Sequence, residues 1–425
     1  MHYAINCHLS TYEDFKKTKS LSMLTTQSVL YSVQVFSQTI YKLSYNSYTI
    51  QASLIGCMKA NRWVYQECGS FMAKKLRLKD IAEQAGVSIT VVSLLLNGRD
   101  VRVSDEKRRL ILDIARQNHY KPNQIARSLV TQRSHTLGLI VPNIESRFFS
   151  SFAKHLELKC RENGYALFIT NSDESSTHDS ELVSLLIQRG VDGIFIISSD
   201  ELSATEEFKQ TLLHLSVPYV MVDRTIAGLA CDKVYFNNEL GGYLATHYLL
   251  AHNHRRIAAL INADSLTGQR RLNGYKRALQ EYGVAFDDSL ILPSRYYIED
   301  AYNASHALAH LGATAVFASS DNIALGLLRY LYQTNLRVPR DYSVVSYDNS
   351  AADALFEPAL TSVEQNVSEL AQASFDTMLK RVCVDKHDKS NACDEADACD
   401  EDPARAPFDI MLNPVLVEKA SVQNL

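Results

Sequence analysis

Residues 78–120 read LKDIAEQAGVSITVVSLLLNGRDVRVSDEKRRLILDIARQNHY and predict three short helices. Gly86 follows the first helix, where a tight turn needs a permissive φ. Ser88 and Ser104 are suitable N-caps for the second and third helices, and Gly98 ends the second. The pattern therefore predicts a helix-turn-helix, in which the second helix enters the major groove of DNA. The residues expected to face its core are Ile81, Ala82, Ala85, Val92, Leu95, Leu96, Leu110, Leu112, Ile114 and Ala115.

A fourth, shorter helical stretch follows, with the sequence YKPNQIARSL at residues 120–129. Pro122 stands at its start, where a missing N–H costs nothing, and Leu129 stands at its end. A helix of this length is not stable alone in water, so it needs a partner in order to fold.

Charge is segregated along the chain. Residues 72–135 contain thirteen Lys/Arg and six Asp/Glu, a net charge of +7, whereas the whole chain carries −5. A basic block on an acidic body indicates a nucleic-acid contact confined to one end. A merely solvated basic face is the alternative.

Residues 136–383 alternate short apolar runs with helical patterns. The runs are LGLIVPNI, YALFITN, GIFIIS, VPYVMVD, IAALINA, TAVFASSD and YSVVSYD, and each ends in polar or acidic residues. This alternation predicts parallel sheets with helices on both faces, and ligands bound beyond the carboxyl ends of the strands. Because about 250 residues exceed one compact unit, two lobes enclosing a cleft are expected.

Motifs of catalysis are missing from the sequence. G-x-G-x-x-G, G-x-x-x-x-G-K-[ST], H-E-x-x-H and G-x-S-x-G do not occur, and no nucleophile–base pair is legible. We therefore expect a binding protein without a cofactor, and not an enzyme. The dilute cysteines, with no C-x-x-C pair, indicate mostly free thiols in a reducing cytoplasm.

Residues 76–422 closely resemble the lactose/galactose repressor (LacI/GalR) family. The resemblance rests on KDIAEQAGVS…VVS…LNG, on YKPNQIARSL and on LGLIVPNI. It implies an all-α helix-turn-helix domain joined to a two-lobed α/β effector domain like that of periplasmic binding proteins. It further implies a cytoplasmic, nucleoid-associated transcriptional regulator, most often a repressor, that binds a palindromic operator as a dimer. A tetramer stays open.

The resemblance assigns DNA contacts to individual residues. Base-facing positions are Ile89, Thr90 and Leu94, and phosphate-contacting positions are Ser88, Ser93, Asn97 and Tyr120. Ala126, Arg127 and Leu129 are the hinge residues at the minor groove, where Leu129 acts as a wedge that kinks the DNA. Leu94 departs from the Arg or His of many members; it cannot pair with guanine but can contact a thymine methyl. The alternative is that Leu94 packs inward.

The resemblance also implies an effector site. Its residues are Phe148, Phe149, Asp223, Arg271, Tyr296, Asp321 and Asp348. Carboxylates and an arginine facing aromatic rings suit a polyol, and the expected effector is a sugar or sugar phosphate. Simpler roles are open for two positions: the Phe pair can be ordinary core, and Asp321 can cap the helix that follows it.

The first 71 residues lack the patterning of the rest. Lys19 and Lys42 bracket 22 uncharged residues, but eleven are Ser, Thr or Gln, which argues against a membrane span. No secretory signal follows Met1. We interpret residues 1–71 as a non-native extension from an early start codon, with a regulatory arm as the alternative. The helix-turn-helix is then assigned to residues 72–119, the hinge and linker to 120–135 and the effector domain to 136–425.

Residues 384–407, VDKHDKSNACDEADACDEDPARAP, form an acidic insertion without apolar periodicity. Its composition predicts a solvated loop. His387, Cys393 and Cys399 match no zinc spacing, so we expect no metal. Two other functions are weighed: a solute-binding module, disfavoured by the basic helix-turn-helix and the missing signal peptide, and a cleft enzyme.

Overall fold

The computed structural model describes residues 76–96, 98–118, 120, 133–199, 205–350, 357–384 and 406–425. The chain divides into two compact units, residues 1–122 and 123–425. Three groups of predictions therefore lie outside the described residues: those on residues 1–71, on the hinge helix with Ala126, Arg127 and Leu129, and on most of the acidic insertion. Asn97 also lies outside them.

The first unit contains the predicted helix-turn-helix. Its helices are α1 Leu78–Ala85, α2 Ile89–Leu96 and α3 Asp105–Gln117. Gly86 joins the first two with a φ of 61°, and the Ser104 hydroxyl accepts from the Lys107 amide at the start of α3. Both features match the turn and the cap that the sequence predicts.

The core of this unit differs from the prediction in α3. Ile111 is fully buried, whereas Leu110 is 43% exposed, so the assignment of Leu110 to the core was wrong. Ile111, Ile114 and Ala115 lie three and four positions apart and share one helix face, which leaves Leu110 beside it. Ile81, Val92 and Leu95 complete the packing as predicted.

The second unit is built on two sheets within its described residues. One sheet has the order β11-β5-β4-β3-β1-β2, and the other β12-β10-β9-β8-β6-β7. All pairings are parallel except that of β12 with β10. The strands are β1 Thr136–Val141, β2 Ala166–Asn171, β3 Ile194–Ile196, β4 Tyr219–Val222, β5 Asp232–Phe236, β6 Ile257–Ile261, β7 Ile291–Pro293, β8 Ala315–Ala318, β9 Ser343–Asp348, β10 Thr361–Glu364, β11 Asp409–Leu412 and β12 Val415–Val417.

Helices cover these sheets. They are α4 Arg147–Glu162, α5 Ser176–Gln188, α6 Glu206–Leu213, α7 Asn238–Ala251, α8 Leu266–Glu281, α9 Ile298–Ser305, α10 Asp321–Gln333 and α11 Val367–Val384, with 3₁₀ turns at Asp288–Leu290 and His306–His310. Helix α11 runs to Val384, the first residue of the predicted insertion. No helix in the described part of the chain is long and apolar enough to cross a membrane.

Each sheet has its own core, which makes two lobes. Helices α4 and α11 pack on the first sheet, and α7 and α8 pack on the second. The chain passes from one lobe to the other after β5, after β10 and after β11. Because the parallel strands end at the same edge of each sheet, the polar residues that follow them are gathered at one side of each lobe.

Candidate nucleic-acid interface and ligand cleft

Helix α2 presents the predicted base-facing residues on its outer side. Ile89 is 47% exposed, Thr90 is exposed and Leu94 is half-buried. Leu95 and Leu96 belong to the apolar core of the unit, and Leu94 is outside it. The geometry therefore favours the surface role of Leu94 over the alternative that it packs inward, while its contact with a base stays a prediction.

Two of the predicted phosphate-contacting residues also have structural roles. The Ser88 hydroxyl accepts from the Val91 amide at 3.3 Å and so caps α2. Tyr120 packs against the helix-turn-helix core, and its amide donates to the Ala115 carbonyl at 2.8 Å. Burial raises the pKa of Tyr120, which keeps its hydroxyl protonated as a donor. Ser93 is half-buried on α2.

Basic side chains surround this unit. Lys107 differs from the others, since its ammonium donates to the Gly86 carbonyl at 2.8 Å and supports the turn. Some of these basic side chains form solvent-exposed ion pairs with neighbouring acids, such as Arg77–Asp80 at 3.3 Å. Exposed ion pairs are weak, so the basic side chains could exchange these acids for DNA phosphates. Besides Lys107, the exposed basic residues in the described part of this unit are Arg77, Lys79, Arg99, Arg102, Arg109 and Arg116.

One cleft of the second unit collects all seven predicted effector residues. Its lining includes Phe148, Phe149, Asp223, Arg271, Tyr296, Asp321 and Asp348. Phe148, Phe149 and Asp223 come from the first lobe, and the other four come from the second. The structure thus brings these residues together between the lobes, while their contact with an effector remains a prediction.

Arg271 is buried in the cleft by close packing of two helices. A Cβ at Gly242 of α7 would lie 2.0 Å from the Arg271 carbonyl oxygen, so α8 can approach α7 only where a side chain is missing. The guanidinium lies 3.7 Å from the centroid of the Tyr347 ring. Its Nε donates to Asn238 at 2.9 Å, and an Nη donates to the Ser319 carbonyl.

Two carboxylates of the second lobe lie near this cation. Asp348 Oδ1 is 3.9 Å from Arg271 Nη2, and Asp348 Oδ2 accepts from the Asp321 amide at 3.3 Å. Asp348 has a φ of 83°, an uncommon conformation that aims its side chain into the site. Burial raises the pKa of Asp348 to about 7; Arg271 opposes this increase, and Asp321 and Asp223 add to it.

Asp321 does not cap α10, contrary to the simpler role weighed for it. The N-cap is Ser320, whose hydroxyl accepts from the Ile323 amide at 3.2 Å. Asp321 instead accepts from the Ser346 hydroxyl at 2.7 Å and from the Ser350 amide at 2.8 Å. This carboxylate therefore connects the end of β8 with the end of β9.

The aromatic residues serve both the cleft and the core. Phe148 and Phe149 are buried in the core of the first lobe, with their rings in an edge-to-face contact at 5.5 Å, and they also line the cleft. Tyr296 faces them from the second lobe, where its hydroxyl lies 3.0 Å from the Ser265 hydroxyl. The Phe pair therefore belongs to the core and also lines the cleft, while its contact with an effector stays a prediction.

An ion pair at the cleft was not predicted. Arg224 Nη1 lies 2.7 Å from Glu174 Oε2, and the Arg224 guanidinium stands 5.1 Å from the ring centroids of both Phe149 and Tyr296. In the motif VMVDR, Arg224 directly follows Asp223 at a strand end, and this position could have identified Arg224 as a cleft residue. Glu174 follows β2 in a loop with positive φ and had no comparable signal. Other lining residues that were not predicted are Asn143, Ser146, Arg147, Thr267, Ser320, Asn322, Ser350 and Gln365.

Comparisons with protein families agree with this architecture. Residues 77–123 match the family described as bacterial regulatory proteins, lacI family, and residues 246–398 match a periplasmic binding protein-like domain. The lac repressor dimer bound to operator and the anti-inducer ONPF covers 82% of this chain and all of its own, with a TM-score of 0.70. At 21% identity this likeness shows the fold.

Curated relatives are similar over most of their length. The HTH-type transcriptional repressor PurR of Vibrio vulnificus is 33% identical over 316 residues, which are 73% of this chain and 93% of the relative. The ribose operon repressor of Haemophilus influenzae is 33% identical over 72% of this chain and 91% of its own. A LacI family regulator from Enterococcus faecium, solved with bound ribose, is 28% identical over 68% of this chain and 99% of its own, with a TM-score of 0.57. The chain belongs to the LacI family of DNA-binding transcriptional regulators.

Proposed function

We propose that this regulator represses transcription from an inverted-repeat operator as a homodimer, under the control of a small sugar bound between its lobes. The observation that supports a sugar effector is the composition of the cleft, where carboxylates and Arg271 face the rings of Phe148, Phe149 and Tyr296. Hydroxyl groups pair with such charged groups, and the C–H face of a sugar stacks on rings. The ribose operon repressor and the ribose-bound regulator among the similar proteins support a sugar of this size.

The DNA contacts are part of the same proposal. Ile89, Thr90 and Leu94 would read base edges in the major groove, while Ser88, Ser93 and Tyr120 would hold phosphates. The exposed basic residues supply the salt-dependent part of the affinity. The proposed division is a DNA-binding domain at residues 72–119, a linker at 120–135 and an effector domain at 136–425, working in the cytoplasm on the chromosome.

A second copy of the chain is the proposed partner at the edge of the first sheet. Strand β2 is an edge strand, and its Phe168 and Ile169 are 50% and 44% exposed. Leu185 of the adjacent α5 is also exposed. An apolar edge of this kind is a liability for a lone molecule and a suitable surface for a dimer. The lac repressor structure contains a dimer, which supports a second copy of the chain as the partner.

The test combines operator binding with ligand binding. Full-length protein is incubated with inverted-repeat fragments of its own genome at low salt, and thermal shifts are recorded with sugars, D-ribose among them, and with nucleobases. We expect one fragment class to be preferred and at least one sugar to change both its affinity and the Tm. If no inverted repeat is preferred with or without any of these compounds, the proposed function is wrong.

Arg271→Ala provides the matching variant. Loss of the guanidinium removes the buried cation that lies beside Asp348 in the cleft, so we expect the ligand-induced thermal shift to disappear. Operator binding without ligand should be retained, which also shows that the variant is folded. A thermal shift that survives in Arg271→Ala would refute the assigned pocket.

A further inference from the structure

We propose that the effector of this regulator is an uncharged polyol sugar, and that the cleft rejects phosphate esters and carboxylates of the same sugars. The inference rests on the proposed function and narrows it, because the sequence left both sugars and sugar phosphates open. Three observations support it: the charges of the groups in the cleft, the ion-pair and hydrogen-bond partners of these groups, and the internal hydrogen bonds of the nearby backbone amides.

The inner part of the cleft contains more negative than positive groups. Asp223, Asp321 and Asp348 are buried there beside a single inner guanidinium, that of Arg271. Arg271 also meets neutral acceptors, with Asn238 at 2.9 Å and Gln365 at 3.5 Å. An anionic ligand would therefore enter a site in which the carboxylates already outnumber the guanidinium groups.

The second buried cation of the cleft has its own counter-ion. Arg224 is paired with Glu174 at 2.7 Å, and both side chains are largely buried. The guanidinium is held between the rings of Phe149 and Tyr296, so it cannot turn toward a ligand phosphate without leaving these contacts. The Arg224–Glu174 pair presents a nearly neutral wall.

At the mouth of the cleft, acidic and basic side chains are also present together. A neighbouring cavity is lined by Asp173, Glu174 and Asp264, together with Arg224 and Arg295. Arg295 is itself paired with Asp300 at 2.6 Å. Arg147 also reaches the rim but is exposed, and a phosphate held there would stay in water, where one charge pair contributes little.

At the two helix N-termini of the second lobe that line the cleft, backbone donors of the kind that commonly bind phosphates are used internally. At the N-terminus of α10, the Asp321 amide donates to Asp348 and the Ile323 amide donates to the Ser320 hydroxyl. At the N-terminus of α8, the Gly268 amide donates to the Ser265 hydroxyl at 3.0 Å. Helix N-termini are ready-made anion sites only when such donors are available. Here a phosphate would have to displace a carboxylate or a hydroxyl.

These features favour hydroxyl groups over anions. Ionised carboxylates accept hydrogen bonds only, so they match the O–H donors of a polyol and repel a phosphate at short range. The raised pKa of Asp348 has the same origin, because burial and two neighbouring carboxylates disfavour its ionised form. A bound phosphate would disfavour it further.

The test compares each sugar with its own phosphate ester. Binding to full-length protein is measured by calorimetry for D-ribose and D-ribose 5-phosphate, and for D-glucose, D-galactose and D-fructose with their 6-phosphates. We expect the binding compound to be a free sugar whose ester binds at least about tenfold more weakly. An ester that binds as well as, or better than, its parent sugar overturns the proposal.

Operator binding in the same samples separates the two levels of inference. If no compound of the panel binds, the uncharged-sugar proposal is wrong, while a preserved preference for an inverted repeat keeps the regulator function. If the operator is not bound either, the proposed function fails as well. Both results are therefore informative, and neither can be mistaken for the other.

Asp348→Asn examines the charge argument directly. It removes one buried carboxylate at nearly constant volume, so the free sugar should bind about tenfold more weakly and the gap between sugar and ester should narrow. Glu299→Gln removes the same charge from the exposed surface of α9 and is the matched control, with both affinities unchanged. An equal gap in Asp348→Asn and in the wild type would contradict the electrostatic explanation.

Discussion

At the scale of single residues, the cleft is defined by buried charges with unequal partners. Burial raises the pKa of Asp348 to about 7, Arg271 opposes this increase, and Asp321 and Asp223 add to it. Arg224 has a dedicated partner in Glu174. The same residue types therefore have different surroundings: Asp348 shares the Arg271 guanidinium with neighbouring carboxylates, whereas Glu174 is paired with Arg224.

Asp348 should make the stability of the ligand-free protein depend on pH. Its folded pKa lies above the ordinary value of 3.8, so its contribution to stability is present at low pH and is lost as the pH rises toward 7. The Tm of Asp348→Asn minus that of the wild type should therefore increase between pH 5 and pH 8, by about 2–4 °C for each kcal/mol. Glu299→Gln is the control without this trend. A pH-independent difference for Asp348→Asn would contradict the prediction.

Glu174→Gln should destabilise the first lobe by about 1–2 kcal/mol, because it leaves the buried Arg224 cation without its counter-charge. The free energy of unfolding is measured with denaturant. Glu299→Gln breaks an exposed pair of similar length, Arg329–Glu299 at 2.6 Å, and should cost no more than about 0.5 kcal/mol. Equal losses in the two variants would show that the burial of the Arg224 pair has no energetic consequence.

At the scale of elements, helix α3 illustrates how the core of the helix-turn-helix is selected. Leu110 and Ile111 are adjacent and similarly apolar, so composition cannot decide between them. The helix rotation that buries Ile114 and Ala115 also buries Ile111, and it leaves Leu110 at the surface. The sequence pattern allows either Leu110 or Ile111 to be buried, and the packing of α1 and α2 on one face of α3 selects Ile111.

Ile111→Ala should destabilise the helix-turn-helix by about 2–5 kcal/mol, because it opens a cavity in a small core. Leu110→Ala, which truncates a half-exposed side chain next to it, should change stability by less than about 0.5 kcal/mol. Hydrogen exchange of the α1 and α3 amides in the full chain measures the local opening free energy. Similar exchange rates in both variants would contradict the assigned core.

At the scale of the whole molecule, two separate cores explain how a ligand site is formed and controlled. Each lobe closes around its own sheet, and the cleft lies where the chain passes between them. A ligand changes the relation of the lobes only to the extent that it binds one arrangement more tightly than the other. The apolar edge at β2 is the proposed surface through which such a change would reach a second copy.

Phe168→Asp should convert the dimer to monomers, since a charge in the middle of an apolar interface is left without a partner. The dissociation constant should rise by at least about 100-fold, measured by light scattering after gel filtration. Tyr332→Asp is the control: Tyr332 is 83% exposed on α10, which belongs to the other lobe, and its variant should stay dimeric. Loss of the dimer in both variants, or in neither, would refute the β2 interface.

Much of this molecule could be predicted from local patterns in its sequence. The turn at Gly86, the cap at Ser104 and the seven quoted strand segments depend on residues within a few positions of one another. Polar residues at strand ends also predicted the cleft, because parallel strands end at a common edge. The short strands β5, β7 and β10 were not identified, since segments of three to five residues, some of them polar, are too short to show a distinct period.

The amino-acid sequence by itself therefore determined the helix-turn-helix and the alternating α/β body, while the seven residues that meet in the cleft followed from the resemblance to a known family. Only the tertiary structure decided how their charges are matched. Glu174 and Arg224 are 50 residues apart, and Asp321 and Ser350 are 29 apart. Such pairs depend on which strands are neighbours in the sheet and on how closely the helices pack. Neither property can be derived from the hydrophobic periodicity of a short stretch of sequence.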